Sequence, residues 1–221
     1  MCKQLASVII PCHNGTNYLA EAVSSIHRQN LDTEVIVVDD GSTDNTAAFA
    51  QSLNCTVVSI PASGLPSARN IGIKTARSDY LMFLDHDDVL TDNSLKCLLS
   101  AFTDSTDFVS AKVMDFISPE LPETEKEKLA PRKEPYGGLL TGAYLFRRVV
   151  FEKAGTFDEE LRAGPGVDFL LRCSDAGLRE VKLDFVAARR RLHNTNMGRM
   201  SQKQENKDYA DLLRIRLVKQ K

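Results

Sequence analysis

Residues 80–88 are YLMFLDHDD. Apolar and aromatic side chains run unbroken from Tyr80 to Leu84, and Asp85, His86, Asp87 and Asp88 follow at once. A short apolar run stopped by polar residues is the pattern of a strand buried on both faces. These carboxylates therefore sit at a strand's carboxyl end. The same grammar occurs twice upstream. Leu5–Ile10 reads as a buried strand ended by Pro11, with His13 and Asn14 just beyond; Glu34–Val38 is another, followed by Asp39, Asp40, Gly41 and Ser42. Helical segments lie between. Thr16–Gln29 repeats Leu19, Val23 and Ile26 on one face, Ser42 or Thr43 caps a helix reaching about Leu53, and Pro66 opens one running to about Ala76. A strand at Thr56–Ile60, a helix at Ser94–Phe102 and a strand at Asp107–Phe116 continue the alternation. Parallel strands need crossover connections, so the prediction is an α/β fold with a mostly parallel sheet flanked by helices, in a single domain. Ligands of such sheets bind beyond the carboxyl ends of the strands, where the three polar clusters fall.

Length and composition agree. A chain of 221 residues, 43% hydrophobic and 26% charged, suits one α/β domain and not a disordered tail or a fibre. The apolar runs are strand-sized, too short for a membrane-spanning helix, and no basic start followed by an apolar run suggests a secretory leader. Five cysteines, an odd number without a Cys-x-x-Cys pair, point to free thiols in a reducing cytoplasm. The net charge of −2 is unevenly spread: residues 189–221 carry 10 Lys and Arg against 3 Asp and Glu. An acidic body with a basic tail excludes a nucleic-acid-binding profile across the chain. Within that tail Gln202–Leu217 reads as a polar helix with Tyr209, Leu212, Leu213 and Ile215 as a partial apolar face. It suits a peripheral contact at an anionic inner membrane face, a partner protein, or a solvated surface.

The pattern changes after Phe116. Ser118–Pro135 holds four of the eight prolines and many charges, and reads as a long surface loop with one helical turn at most. Then come a strand-like Leu139–Arg147, a short helix at Val149–Ala154, a helix at Phe169–Ala176 and a last strand at Val181–Val186.

The chemistry is concentrated in the strand-end clusters. Two carboxylates about 4 Å apart repel by roughly 4 kcal/mol at an effective dielectric near 20. Within Asp85–Asp88, either one takes a proton or a cation sits between them, and such oxygen ligands suit Mg2+ or Mn2+ beside substrate phosphates. A polar turn capping the next helix is the bland alternative. A calcium loop is excluded, because Val89 occupies its fifth position. Asp39 and Asp40 can accept hydrogen bonds from a base N–H or a ribose hydroxyl, or form an Asx-turn. No P-loop or dinucleotide fingerprint occurs, so phosphates fall to a metal and to basic residues, with Arg69 and Arg77 as candidates. His13 and His27 lack metal-ligand spacing.

The run SVIIPCHNGTNYLAEAVSSIHRQ (7–29), then EVIVVDDGSTDNT (34–46), then ARNIGIKTARSDYLMFLDHDDVL (68–90), resembles glycosyltransferase family 2, with its Rossmann-like GT-A fold. GAYLFRRVVFEKAGTFDEEL (142–161) and ARRRLHNTN (188–196) are similar to the same family, so the likeness covers roughly residues 6–196. It implies a nucleotide-diphosphate-sugar donor, a UDP-sugar in the first instance, and Mn2+ or Mg2+. It implies that Asp40 contacts the nucleobase, that the backbone around Pro11 lines the base and ribose pocket, and that Asp85 meets ribose; Asn14 and Asp39, at the same strand ends, are further substrate-binding candidates. It places Asp87, with His193, at the metal, and leaves Arg69 as a diphosphate neighbour. The domain then spans 1–198, with a donor half at 1–116 and an acceptor half at 117–198, and 199–221 follows as the basic helix.

The resemblance fails at one place. The family carries a Glu-Asp base pair ahead of a helix reading roughly Asp-x-x-Leu-Arg; counted back from Arg172, that pair falls on Pro165 and Gly166, which accept no proton. Asp168, two residues on, is the substitute base, with Glu159 or Glu160 as further candidates and a helix cap as its bland role. Three functions compete: an inverting, metal-dependent transferase with an unknown acceptor, a sugar-nucleotide-binding pseudoenzyme or interaction subunit, and a nucleotidyltransferase. The last is disfavoured by the lack of a basic, glycine-rich start in Ser7–Tyr18.

Overall fold

A computed structural model describes residues 5–137, 141–161 and 164–194. In chain order its elements are β1 (Ala6–Cys12), α1 (Leu19–His27), β2 (Thr33–Asp40), α2 (Thr46–Ser52), β3 (Thr56–Ile60) and α3 (Leu65–Thr75). β4 (Tyr80–Phe83), β5 (Val89–Leu90), α4 (Ser94–Ser100), β6 (Phe108–Ile117), α5 (Glu123–Lys126) and β7 (Tyr136–Gly137) follow. A 3-10 turn at Thr141–Ala143 leads into β8 (Tyr144–Arg147), α6 (Val149–Lys153), α7 (Pro165–Asp175) and β9 (Glu180–Leu192). Among the described residues all nine strands join one sheet, ordered β3-β2-β1-β4-β8-β6-β9-β5, with β7 on β6.

The first half is parallel, as the alternation predicts: β1 pairs with β2 and β4, and β2 with β3. The second half is mixed. Met82 faces Leu145 and Tyr80 faces Arg147, so β8 starts beside the carboxyl end of β4 and runs antiparallel to it and to β6. Two apolar layers cover the sheet. Val8, Ile10, Met82 and Leu84 pack under α1 and α4, while Ile9, Leu81 and Phe83 face α3, α6 and α7. On the second face Phe146, 1% exposed, has ring centroids 5.5–5.6 Å from those of Phe108, Phe151 and Phe169. Truncating such a ring removes the burial and leaves a cavity the neighbours fill only in part. Phe146→Ala is expected to cost about 3–5 kcal/mol of stability, read as a lowered urea midpoint with an unchanged slope.

Several boundaries differ from the sequence reading, each for a local reason. β1 continues through Pro11 to Cys12. Ile9 accepts from Leu84 N–H across the β4 side, and Pro11 shares that orientation two residues on. Its missing N–H points where β4 has already ended, so the ladder loses nothing. α2 starts at Thr46, and Asp44 instead of Ser42 or Thr43 accepts its N–H, at 3.0 Å. α7 starts at Pro165, after Gly164 in the left-handed conformation, so Asp168 lies inside the helix and is not its cap. The last strand is 13 residues long and ends at Leu192, six residues beyond the expected Val186. Arg189, Arg190 and Arg191 therefore belong to the sheet and not to a basic tail. The loop after β6 holds the single turn α5, and it is fastened down: Arg132 N–H bonds Asp115, and Leu129 is buried. Among the described residues no helix is long and apolar enough to cross a membrane. The helix expected at Gln202–Leu217 lies outside them.

Candidate active site

The carboxyl ends of β1, β2, β3 and β4 meet in one place, and two glycines permit it. A Cβ on Gly15 would lie 2.1 Å from Cys12 Sγ and 3.0 Å from His86 Cδ2, so the turn after β1 abuts the aspartate turn after β4. Gly41 has φ +69°, and a Cβ there would lie 2.6 Å from the backbone nitrogen of Ala62. The turn after β2 thus presses on the loop after β3.

Polar side chains cross-link these turns. Asn14 accepts from Thr43 N–H at 2.8 Å, while its own N–H donates to Ser42 Oγ at 2.9 Å. His13 Nδ1 lies 2.8 Å from the Asp40 carbonyl oxygen and Nε2 lies 3.3 Å from the Asn14 amide nitrogen. These partners assign the proton to Nδ1, so His13 is a brace. Asp39 is buried and accepts from Ser42 N–H at 3.1 Å, the Asx-turn arrangement. Asp40 accepts from Ser63 N–H at 2.7 Å and Gly64 N–H at 2.9 Å, one on each oxygen. Each oxygen retains a second acceptor site, so Asp40 is aimed and can still take a further donor.

In the turn after β4 each carboxyl has its own compensation. Asp85, whose side chain is 36% exposed, receives Arg69 Nη2 at 3.3 Å, and Arg69 lies over the rings of Phe83 and Phe157. Asp87 Oδ2 is 2.8 Å from His193 Nε2. Burial works against the Asp87 charge, but the His193 bond and nearby His86 outweigh it and hold the carboxyl below its ordinary range. Asp88 points inward and accepts Arg191 N–H at 2.9 Å; burial first, then Asp87 and Asp85, push its carboxyl well above the ordinary range. The repulsion inherent in three close carboxylates is thus eased by a guanidinium at Asp85, an imidazole at Asp87 and a carboxyl at Asp88 whose burial favours its neutral form. Cys12 lies under the same cluster, its thiol pushed up to about 12 by burial and by Asp39, Asp44 and Asp87.

Of the sequence-predicted residues, Pro11, Asn14, Asp39, Asp40, Arg69, Asp85, Asp87 and His193 gather at this edge. Arg77 does not. It pairs with Glu34 at the start of β2, the opposite edge of the sheet, and its side chain is 78% exposed. Asp168 stands on α7, where its Oδ2 accepts Arg172 Nε at 2.8 Å. Arg172 also donates to the carbonyls of Ala154 and Thr156. Glu159 accepts from Asn70 at 2.8 Å, and Glu160 donates its N–H to Asp158. The sequence reading missed Arg191, one of the largest fully buried side chains. The run Phe185–Ala188 continues the apolar strand up to it, a signal masked by the triple arginine.

Among the described residues no three His, Cys, Asp or Glu side chains form a complete metal site. Small divalent cations do not need one, since they keep waters and take one or two carboxylates plus substrate phosphates. The 2.8 Å between His193 Nε2 and Asp87 Oδ2 is close to the roughly 3 Å between neighbouring ligands of an octahedral cation with bonds of about 2.1 Å. The pair fits as a two-donor seat.

The family model for glycosyl transferase family 2 matches residues 7–157. An uncharacterized glycosyltransferase of Rickettsia typhi is 32% identical over 175 residues, covering 72% of this chain and 55% of that protein. The chain spans about half the length of the curated relatives it matches. The crystal structure of S. aureus TarS 1–349 in complex with UDP-GlcNAc is similar with a TM-score of 0.70 and 23% identity, over 87% of this chain and 60% of that one. The mannosyltransferase PcManGT from Pyrobaculum calidifontis, in complex with GDP-Man and Mn2+, is similar with a TM-score of 0.71 and 16% identity, over 96% and 65%. These two likenesses speak for the fold, which is of the GT-A type. Because the family match runs from the first strand through the aspartate turn to Phe157, the chain belongs to glycosyl transferase family 2.

Proposed function

We propose that this chain is the donor-binding and transferring domain of a metal-dependent, inverting glycosyltransferase that moves a sugar from a UDP-sugar to a hydroxyl acceptor. The observation that carries it is the meeting of Asp40, Asp85, Asp87 and His193 at one sheet edge, each held by a named partner. The UDP-GlcNAc and the GDP-Man with Mn2+ of the two solved neighbours support it. In this reading Asp40 takes a base N–H, Pro11 and Asn14 line the base and ribose, and Asp39 fixes the turn that shapes the pocket. Asp85 meets ribose while Arg69 orients it. Asp87 and His193 would hold Mn2+ or Mg2+, whose positive charge would stabilise a departing diphosphate. Asp168 takes the acceptor's proton, with Oδ2 anchored by Arg172 and Oδ1 as the basic oxygen. A hydroxyl attacking opposite the leaving diphosphate inverts the anomeric carbon.

Residues 117–198 then form the acceptor side, and 199–221 the segment that brings the domain to a membrane face or a partner protein in the cytoplasm. The test is calorimetric titration of UDP with and without Mn2+, followed by NMR of products from a screen of UDP-sugars. Mn2+-assisted binding and an inverted anomer are expected. Binding without any transfer or donor hydrolysis would instead indicate a sugar-nucleotide-binding pseudoenzyme, and no binding sinks the reading.

A further inference from the structure

Arg191 is the point where four separate segments meet. Its side chain is 2% exposed, yet it carries a guanidinium. Nε donates to the Asp87 carbonyl at 2.9 Å, Nη1 to Ser118 Oγ at 3.1 Å, and Nη2 to Glu21 on α1. The guanidinium carbon lies 4.7 Å from the ring centroid of Tyr18 and 4.6 Å from that of Phe116. Tyr18 in turn lies against the His193 imidazole, centroids 4.8 Å apart. Its hydroxyl donates to Glu120 Oε1 at 2.7 Å, an oxygen that also accepts from Ser118 Oγ at 2.6 Å. Burial raises the Glu120 carboxyl, but these hydrogen bonds prevail and hold it down at about 2, so it stays a charged acceptor.

A buried arginine with oxygen partners and aromatic faces on several sides is expensive to assemble, since each donor must replace lost water. Two of these contacts concern the donor site: Arg191 holds the Asp87 carbonyl, and Tyr18, which Arg191 covers, meets the His193 ring. Resting on the functional reading above, we infer that Arg191 and Tyr18 are positioning residues for the Asp87–His193 seat, and that through Ser118 and Glu120 the loop after β6 belongs to that seat. Arg191 sets the backbone from which Asp87 projects. Tyr18 sets the plane of the imidazole, and Glu120 sets Tyr18. The acceptor half thus helps determine how tightly the donor half grips a diphosphate-bound cation, although none of these groups is placed to ligate it.

The test follows free Mn2+ by electron paramagnetic resonance during titration of the full chain with UDP present, alongside melting curves. Tyr18→Leu and Arg191→Lys are expected to weaken Mn2+ uptake by roughly 10–100-fold, the range for groups behind metal ligands. Glu120→Gln, exposed and acting on the seat through Tyr18, is expected to weaken it by roughly 2–10-fold. UDP binding without Mn2+ stays unchanged in all three. Tyr18 is only half-buried, so its variant decides the matter if Arg191→Lys does not fold. Mn2+ uptake by folded Tyr18→Leu as tight as that of the unmodified chain, with only the melting point lowered, overturns this inference alone. Failure of the unmodified chain to take up Mn2+ with UDP overturns the donor reading first and this one with it.

Discussion

Asp87→Ala is expected to weaken Mn2+-assisted UDP binding by roughly 100-fold or more, because altering even the groups behind metal ligands costs about 10–100-fold. The geometry explains why this residue should dominate. Asp87 is the carboxyl of its turn that is both mostly buried and set against an imidazole; its side chain is 15% exposed and its oxygen 2.8 Å from His193. Asp88 holds β9, and Asp85 is oriented by Arg69 toward ribose in this reading. Removing Asp87 takes from His193 the carboxylate 2.8 Å away with which it would share a cation. Asp87→Asn separates charge from shape, since an amide keeps one acceptor oxygen in place but no negative charge. It should lose most of the Mn2+-dependent term and little melting temperature. Asp40→Ala provides the contrast. Its loss should weaken UDP with or without Mn2+ by one charge-assisted hydrogen bond, about 1.5–3 kcal/mol. Calorimetry at matched ionic strength reads all three, and Asp87→Ala binding as tightly as the unmodified chain would sink the assignment of the metal seat.

The parallel half of the sheet is legible in the sequence because each of its strands carries an apolar run with polar or turn-forming residues close behind it. Val35–Val38 hide on both faces without partners; Asp39 and Asp40, the last residues of β2, need the N–H groups of Ser42, Ser63 and Gly64. The mixed half is harder to read. β8 and β6 are apolar too, yet nothing in Tyr144–Arg147 encodes direction, which follows from where the preceding turn deposits the chain. The end of β9 defeats a composition reading altogether. Three successive arginines look like solvent-facing charge, whereas Arg191 is buried by partners drawn from residues 18, 21, 87, 116 and 118. A buried charge is defined by long-range partners, and those are invisible in a local window. The strand-end carboxylates are the opposite case. Their position follows from the strands that carry them, so Asp40, Asp85 and Asp87 fall where the topology sends them before any contact is known.

Asp168→Asn is expected to lower the transfer rate constant by roughly 100-fold or more, the range for losing a general base, while UDP and Mn2+ bind as before. The difficulty is that Asp168 also has a structural duty. Its carboxylate pairs with Arg172, four residues along α7, and Arg172 ties the helix to the carbonyls of Ala154 and Thr156. Loss of activity in Asp168→Asn could therefore report a slackened helix as readily as a missing base. Arg172→Met separates the two. It removes the same ion pair and the two carbonyl anchors, so it perturbs the helix more than the asparagine does, yet it leaves the carboxylate. A base at Asp168 predicts that Arg172→Met retains much more activity than Asp168→Asn despite a lower melting temperature. If the two variants lose activity in step with their stability, Asp168 is only a strut. Gly166→Asp then becomes the informative change, because it restores a carboxyl at a position where the family carries its base pair and this chain has Pro165 and Gly166. A rise in transfer rate in Gly166→Asp, with donor affinity unchanged, would show that the donor site is complete and that proton removal from the acceptor is what limits the chain.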